Sequence, residues 1–517
     1  MATALVALVV AVSAVAKRLG VLAPILLVAV GIAVSFVPGI PAVQLDPELV
    51  LVGVLPPLLY VAAIETSVPA FRYNLRPILL LAVGLVLFTT VVVGLVLHAV
   101  VPQIPLAAAF ALGAVVAPPD AVAATAVGRR IGLPRRIVTI LEGESLINDA
   151  TALVTLRIAV AAAVGQAVTF ADFAGGLALA AVGGLLVGGA VAWLLALLHR
   201  RAVDPLLDNS LSLLTPFVAY AAAEAIHASG VVAVVVTGLY LGHRWPVLMS
   251  AASRLQMSAF WGMVRFLLEG SVFLLVGLQL REVVDSLRVS PQTVVVATVA
   301  VVAAAVLSRF AWVYPATYLA RLVPRLRDRD PSPSPRIPAV IGWAGMRGVV
   351  TLAAAFSLPL RTPAGEPFPG RDLMVWLAFA VIIATLLLQG ATLPAVARLL
   401  KVPRDDPAQD LLAEAAVQYE ASRTALEHLD AQAGAASPEV VQRLREQVRR
   451  RADHAWERLG SQQRETPVSA YRRLRLVMLE AERGVFRRAR DSGQIPEEVM
   501  RQAQRDMDLE ESIITRE

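Results

Sequence analysis

The 517-residue chain has no cysteine, and Asp, Glu, Lys and Arg together make up only 17% of it. The missing cysteines exclude thiol redox chemistry and thiolate-bound metal, while the compartment stays undecided. A soluble domain carries roughly a quarter charged residues, so the scarcity of charge argues against one. Catalytic signatures are missing as well. There is no GxSxG, no HExxH and no phosphate loop, and the six histidines show no metal spacing. An enzyme or a bound cofactor therefore has nothing to rest on. The net charge of +6 would suit nucleic acid, but the arginines sit in the wrong places for it.

Apolar sequence is what the chain has in quantity, at 57% of residues. It fills the first 400 or so positions, and the charges crowd into the remainder. The simplest partition is a transmembrane domain over 1–402 and a cytosolic helical domain over 403–517. In the run ending at Lys17-Arg18 the positive charges follow the apolar stretch. A signal peptide carries them before it, so the run reads as a retained first span.

A spanning helix needs about 20 mostly apolar residues. Candidate spans lie at 2–16, 19–37, 48–66, 78–101, 105–127, 137–164, 173–199, 211–227, 229–242, 256–280, 293–320, 337–358 and 373–399. With thirteen spans, alternate loops on one side hold 17 Lys and Arg residues, and those on the other hold four. That asymmetry places the N-terminus outside and the tail in the cytoplasm. In the tail, Ser437-Pro438-Glu439 reads as a helix start. Gly434, Gly460 and Gly493 interrupt its charged helical runs, whose ordinary role is a solvated surface.

Ionisable groups inside spans are expensive and usually mark a pathway. The fifth span holds Ala117-Pro118-Pro119-Asp120. Two adjacent prolines remove two backbone donors, which predicts an interrupted helix whose ends face an ion. The sixth span holds Glu142-Gly143-Glu144-Ser145-Leu146-Ile147-Asn148-Asp149. Ser145, Asn148 and Asp149 lie at i, i+3 and i+4 on one helix face. They offer a hydroxyl, an amide oxygen and a carboxylate, the oxygen ligands an alkali cation needs. Burial favours the protonated form of Asp149. A single carboxylate that takes H⁺ or a cation, but not both, is the minimum machinery of an exchanger.

The twelfth span holds Arg347 among Gly342, Gly345 and Gly348, a second candidate break. The ordinary alternative is close helix packing. Arg309 in the eleventh span and Arg347 need acids or carbonyls to face, and Glu144 is a candidate partner for Arg309. Glu65 and Glu269 are further acids near or within spans, Glu65 reading first as interfacial. Arg157 and Arg265 read as snorkelling or paired residues. His98, His199 and His243, near span ends, read as structural. A cation channel or a membrane receptor is the rival reading, and no filter ring supports the channel.

These motifs make the chain resemble the monovalent cation:proton antiporter family, sodium/proton exchanger type, and within it the bacterial NhaP-like members. Leu55-Pro56-Pro57-Leu58-Leu59 resembles the family's third-span motif. Ala117 to Val122 resembles its Ser-Pro-Thr-Asp-Pro-Val. Glu142 to Asp149 is similar to Glu-Gly-Glu-Ser-Leu-Leu-Asn-Asp, and Met346 to Val350 with Ser357-Leu358-Pro359 to Leu-Arg-Gly-Ala-Val…Ser-Leu-Pro. The resemblance implies an all-α membrane protein of thirteen spans built as inverted repeats. Its fifth and twelfth helices would be interrupted and crossed, and the assembly a homodimer in the plasma membrane serving pH homeostasis. It implies electroneutral exchange of H⁺ for Na⁺, K⁺ or Li⁺. Asp149 would carry the ion with support from Asn148, Ser145 and Asp120, and Arg309 would pair with Glu144. Two positions depart from the family. Pro119 stands where threonine is frequent, and Val61 where many members have an acid that Glu65, one turn on, would replace.

Overall fold

The computed structural model describes residues 2–38, 47–202, 204–322, 333–435, 437–460, 467–492 and 494–516. Gly493, one of the expected interruptions, lies outside them. The chain divides into two compact units, Met1–Arg404 and Asp405–Glu517. Among the described residues the structure is helical, apart from one isolated antiparallel bridge between Arg361 and Pro367.

The first unit begins with α1 (Ala2–Leu19), α2 (Ala23–Ser35), α3 (Leu49–Glu65) and the short α4 (Val68–Tyr73). Next come α5 (Leu75–Val100), α6 (Leu106–Val116), α7 (Ala121–Ile131) and α8 (Arg135–Ala163). They are followed by α9 (Phe170–Arg201), α10 (Pro205–Glu224), α11 (Gly230–Leu248), α12 (Ala251–Leu278) and the short α13 (Leu280–Asp285). The unit closes with α14 (Pro291–Tyr318), α15 (Arg336–Trp343), α16 (Val349–Phe356) and α17 (Arg371–Leu399). Among the described residues, seven helical segments are long and apolar enough to cross a membrane: α5, α8, α9, α11, α12 with α13, α14 and α17. Shorter apolar helices are α2, α3 and α6.

Local chemistry sets several of these starts. Asp204 accepts from the N–H of Leu206 at 2.9 Å, and Pro205 fits the first turn, where no donor is needed. α10 therefore begins six residues before the expected span at 211, with polar Asp208, Asn209 and Ser210 inside it. Ser290 with Pro291 starts α14 in the same way.

α9 shows what the helices face. Gly184, Gly188 and Ala192 are buried, while Leu185, Leu186, Trp193 and Leu194 are exposed. A Cβ on Gly188 would lie 2.6 Å from the carbonyl oxygen of Ala233, so the small residue lets α9 close on α11. Small residues inside and large apolar ones outside is the pattern of a helix solvated by lipid. At its end His199 and Asp208, both buried, join at 2.5 Å and tie α9 to α10.

Buried apolar residues form two main clusters. One gathers α1, α2, α6, α7, α14 and α17 with the second half of α12, and holds Leu112, Phe273 and Val301. The other gathers α3, α10 and α11 with the first half of α12, and holds Leu59, Val234 and Trp261. The long α8 contributes Leu141 to the first and Leu146 to the second. The seam between the clusters holds the cavity described below.

The second unit is α18 (Pro407–Gln432), α19 (Pro438–Gly460), α20 (Pro467–Asp491) and α21 (Glu497–Arg516). α20 and α21 share a small core of Leu479, Met507 and Ile514. Arg475 clasps both oxygens of Glu510, at 2.6 and 2.8 Å. That guanidinium holds the Glu510 carboxyl below the usual carboxylate range.

Candidate functional site

The site starts from two helices that fail to continue. α6 stops at Val116, and Ala117 to Asp120 run without helical structure before α7 resumes. Pro118 and Pro119 lack the N–H groups a continuing helix needs. α15 stops at Trp343, and Ala344 to Gly348 are likewise non-helical before α16.

The two breaks lie against each other. The backbone N–H of Asp120 donates to the carbonyl of Met346 at 2.7 Å. At Gly348 the approach is closer than any side chain permits, since a Cβ there would lie 2.1 Å from a carboxylate oxygen of Asp120. Arg347 is buried and its Nε donates to the carbonyl of Val116 at 2.6 Å. Its Nη1 reaches the carbonyl of Gly345, and its own N–H is taken by Thr385 Oγ1 at 3.0 Å. The arginine thus sits at the negative C-terminal end of a half-helix, where a cation belongs. Its partners are carbonyls.

α8 passes beside this crossing. Asn148 is fully buried and its Nδ2 donates to the carbonyl of Pro119 at 2.9 Å, so the amide supports the broken backbone. Its Oδ1 is buried with no hydrogen-bond partner among the described residues. One turn earlier, Glu144 meets Arg309 in a two-pronged pair, at 2.5 and 2.7 Å. Arg309 Nε also donates to the carbonyl of Ile341 at 2.9 Å, tying α8 and α14 to the end of α15. Asp149, only 6% exposed, faces the other way.

It faces a cavity of about 320 Å³. Pro118, Pro119, Asp120, Ser145, Asp149 and Gly348 line its deep end, with Thr125 and Thr351. Glu142 and Arg129, joined at 2.7 Å, lie on the same lining. The lining also carries Glu65 of α3 with Arg265 and Glu269 of α12. Arg265 Nη1 donates to Glu65 Oε2 at 2.5 Å, and its Nε is 4.0 Å from Glu269. Glu65, Arg129 and Arg265 are part-exposed and mark the mouth.

The structure therefore brings Asp149, Ser145, Asp120 and Glu65 to one cavity. Asn148, expected on the same face as Ser145 and Asp149, turns toward the chain break. Glu144, Arg309 and Arg347 lie behind the lining. Arg157, at the far end of α8, pairs with Glu224 at 3.0 Å and is no part of the cavity. Thr125, Thr351 and Thr385 escaped notice in the sequence, because single hydroxyl residues are ordinary in an apolar helix. The Arg129–Glu142 pair escaped because its partners are 13 residues apart across a loop.

The sequence profile described as "Sodium/hydrogen exchanger, transmembrane" matches residues 4–399. The chain belongs to this sodium/hydrogen exchanger family. A Mycobacterium tuberculosis (strain ATCC 25618 / H37Rv) relative named as an uncharacterized Na(+)/H(+) exchanger is 37% identical, over 98% of this chain and 94% of its own. The sodium, potassium, lithium and rubidium/H(+) antiporter of Bacillus subtilis (strain 168) is also 37% identical, over 72% of this chain and 57% of its own. The solved structure of the sodium proton antiporter MjNhaP1 from Methanocaldococcus jannaschii aligns with a TM-score of 0.61. It covers 77% of this chain and 97% of that one at 18% identity, a likeness of fold. Members of the sodium/hydrogen exchanger family are multi-pass membrane transporters, which makes the cavity part of an ion-transport protein.

Proposed function

We propose that the protein exchanges H⁺ for Na⁺, or for K⁺ or Li⁺, across the plasma membrane, with Asp149 as the carboxylate that holds either ion. One observation carries this reading. Asp149 is almost fully buried, yet it opens on a cavity that reaches the crossing of two broken helices. A carboxylate there can lose its proton only when another positive charge replaces it or water reaches it, which is competition at one site. Ser145 and Asp120 contribute oxygens beside it. Asn148, with an unpartnered Oδ1 next to the break, supports the site from behind.

An amide precedes Asp149, so this turn of α8 offers a single carboxylate. One proton one way for one monovalent cation the other leaves the charge balance unchanged, and the exchange is electroneutral. The thirteen-span topology with inverted repeats puts the N-terminus outside and residues 403–517 in the cytoplasm. Arg129, at the cavity mouth, lies in the arginine-rich last turn of α7 beside the α7–α8 connection, so the cavity faces the cytoplasm. Alternating access then needs the cluster holding the crossing to move against the one holding α3, in a homodimer, until Asp149 faces the other side. Exchange of this kind serves pH homeostasis. Rate follows competition: protons hold Asp149 at low pH and become scarce at high pH.

The test is reconstitution in proteoliposomes with a preset pH gradient. Addition of Na⁺, K⁺ or Li⁺ collapses the gradient for the wild type, and Asp149→Asn abolishes the collapse. A variant that dissipates the gradient at the wild-type rate refutes the assignment.

A further inference from the structure

Five acids line the cavity, and two arginines face them. Arg129 is taken by Glu142, at 2.7 Å. The other, Arg265, belongs to no motif, and its place is unusual. It lines the same cavity as Asp149, between Glu65 on α3 at 2.5 Å and Glu269 one turn along its own helix at 4.0 Å. Its side chain is 36% exposed and that of Glu65 41%, so the pair stands at the exposed rim of the cavity and not in packed protein. A cation held at Asp149 shares this cavity with the guanidinium.

A positive group in a cation's cavity opposes function unless it has a task there. A pair this exposed adds little stability. It does set the local charge. The guanidinium occupies oxygens that would otherwise detain a cation, and it repels one that enters. Without it the mouth would hold the Glu65 carboxylate free to bind the cargo, and a transporter that binds too tightly at its mouth releases slowly.

We propose that Arg265 is a resident competitor for the transported cation, held by Glu65 and Glu269, which weakens cation capture at the cavity mouth and so permits release. This rests on the cation/proton exchange proposed above and adds the group that tunes apparent affinity. Arg265 does not hold the cargo. It sets how long the neighbouring acids do.

The experiment measures Na⁺ KM and kcat of proteoliposome exchange for the wild type, Arg265→Gln, Arg265→Lys and Glu65→Gln. Arg265→Gln lowers KM by about five- to tenfold, the size expected for one charge at the edge of a partly wet cavity, and lowers kcat as release slows. Raising ionic strength with choline narrows the gap, because exposed charges are screened. Arg265→Lys restores KM to near the wild-type value. Glu65→Gln, which takes away one carboxylate and loosens the arginine, raises KM. An unchanged KM in Arg265→Gln with kcat alone reduced shows a merely structural arginine and overturns the proposal. If Arg265→Gln does not fold, an unchanged or lowered KM in Glu65→Gln overturns it equally. Failure of the exchange reading looks different: the wild type itself then shows no cation-driven proton movement.

Discussion

Glu144 and Arg309 are about 1% exposed, in the part of the molecule where an unmatched charge is hardest to keep. Their two short hydrogen bonds offset the loss of water, and the third, from Arg309 Nε to Ile341, fixes where α15 ends. Breaking one half strands the other. Arg309→Met should therefore cost about 3–5 kcal/mol, read as a lower thermal-unfolding midpoint of the protein in detergent. Joining it with Glu144→Leu should recover most of that loss while transport stays impaired, because the tie to Ile341 is gone. A single variant as stable as the wild type would show that the pair holds nothing. This pairing was legible in the sequence: two opposite charges inside apolar spans have few partners to choose from. The partners of Arg265 were not. Glu65 lies 200 residues away, and each residue alone reads as an ordinary interfacial charge.

At the scale of elements the decisive feature is the meeting of two interruptions. The proline pair at 118 and 119 announces the first break directly, since a residue without an N–H cannot extend a helix. The second is announced only weakly. Gly342, Gly345 and Gly348 suit close packing as well as a break, and only the structure shows Gly348 against Asp120. Gly348→Ala should thus displace the Asp120 carboxylate and cut exchange by at least about tenfold, with a packing strain of about 1–3 kcal/mol. Gly189→Ala on α9 is the control. A Cβ there meets nothing within 4 Å, so exchange should match the wild type. Equal rates for the two variants would remove the crossing from the mechanism. Other features at this scale left no sequence trace. Wide helical turns at Leu80–Leu85 and Leu386–Gly390 sit in apolar runs whose composition matches any other turn.

For the whole molecule, the shift from apolar to charged sequence set the division at 402/403, and the compact units part between Arg404 and Asp405. The second unit has its own core at Leu479, Met507 and Ile514, and its own clasps, Arg475 to Glu510 and Arg483 to Asp508. Every residue that lines the cavity falls between Val50 and Thr351, inside the first unit. The groups proposed to hold, exchange and tune the ion are all present without the tail. A chain ending at Arg404 should accordingly insert, purify as a folded protein and exchange Na⁺ for H⁺ with the wild-type Na⁺ KM. The measurement is the same proteoliposome assay, with Asp149→Asn in the shortened chain as the blank. A shortened protein that inserts and folds but shows no more exchange than that blank would mean that Asp405–Glu517 belongs to the transport machinery. The tail's separate core and ion pairs would then serve transport directly.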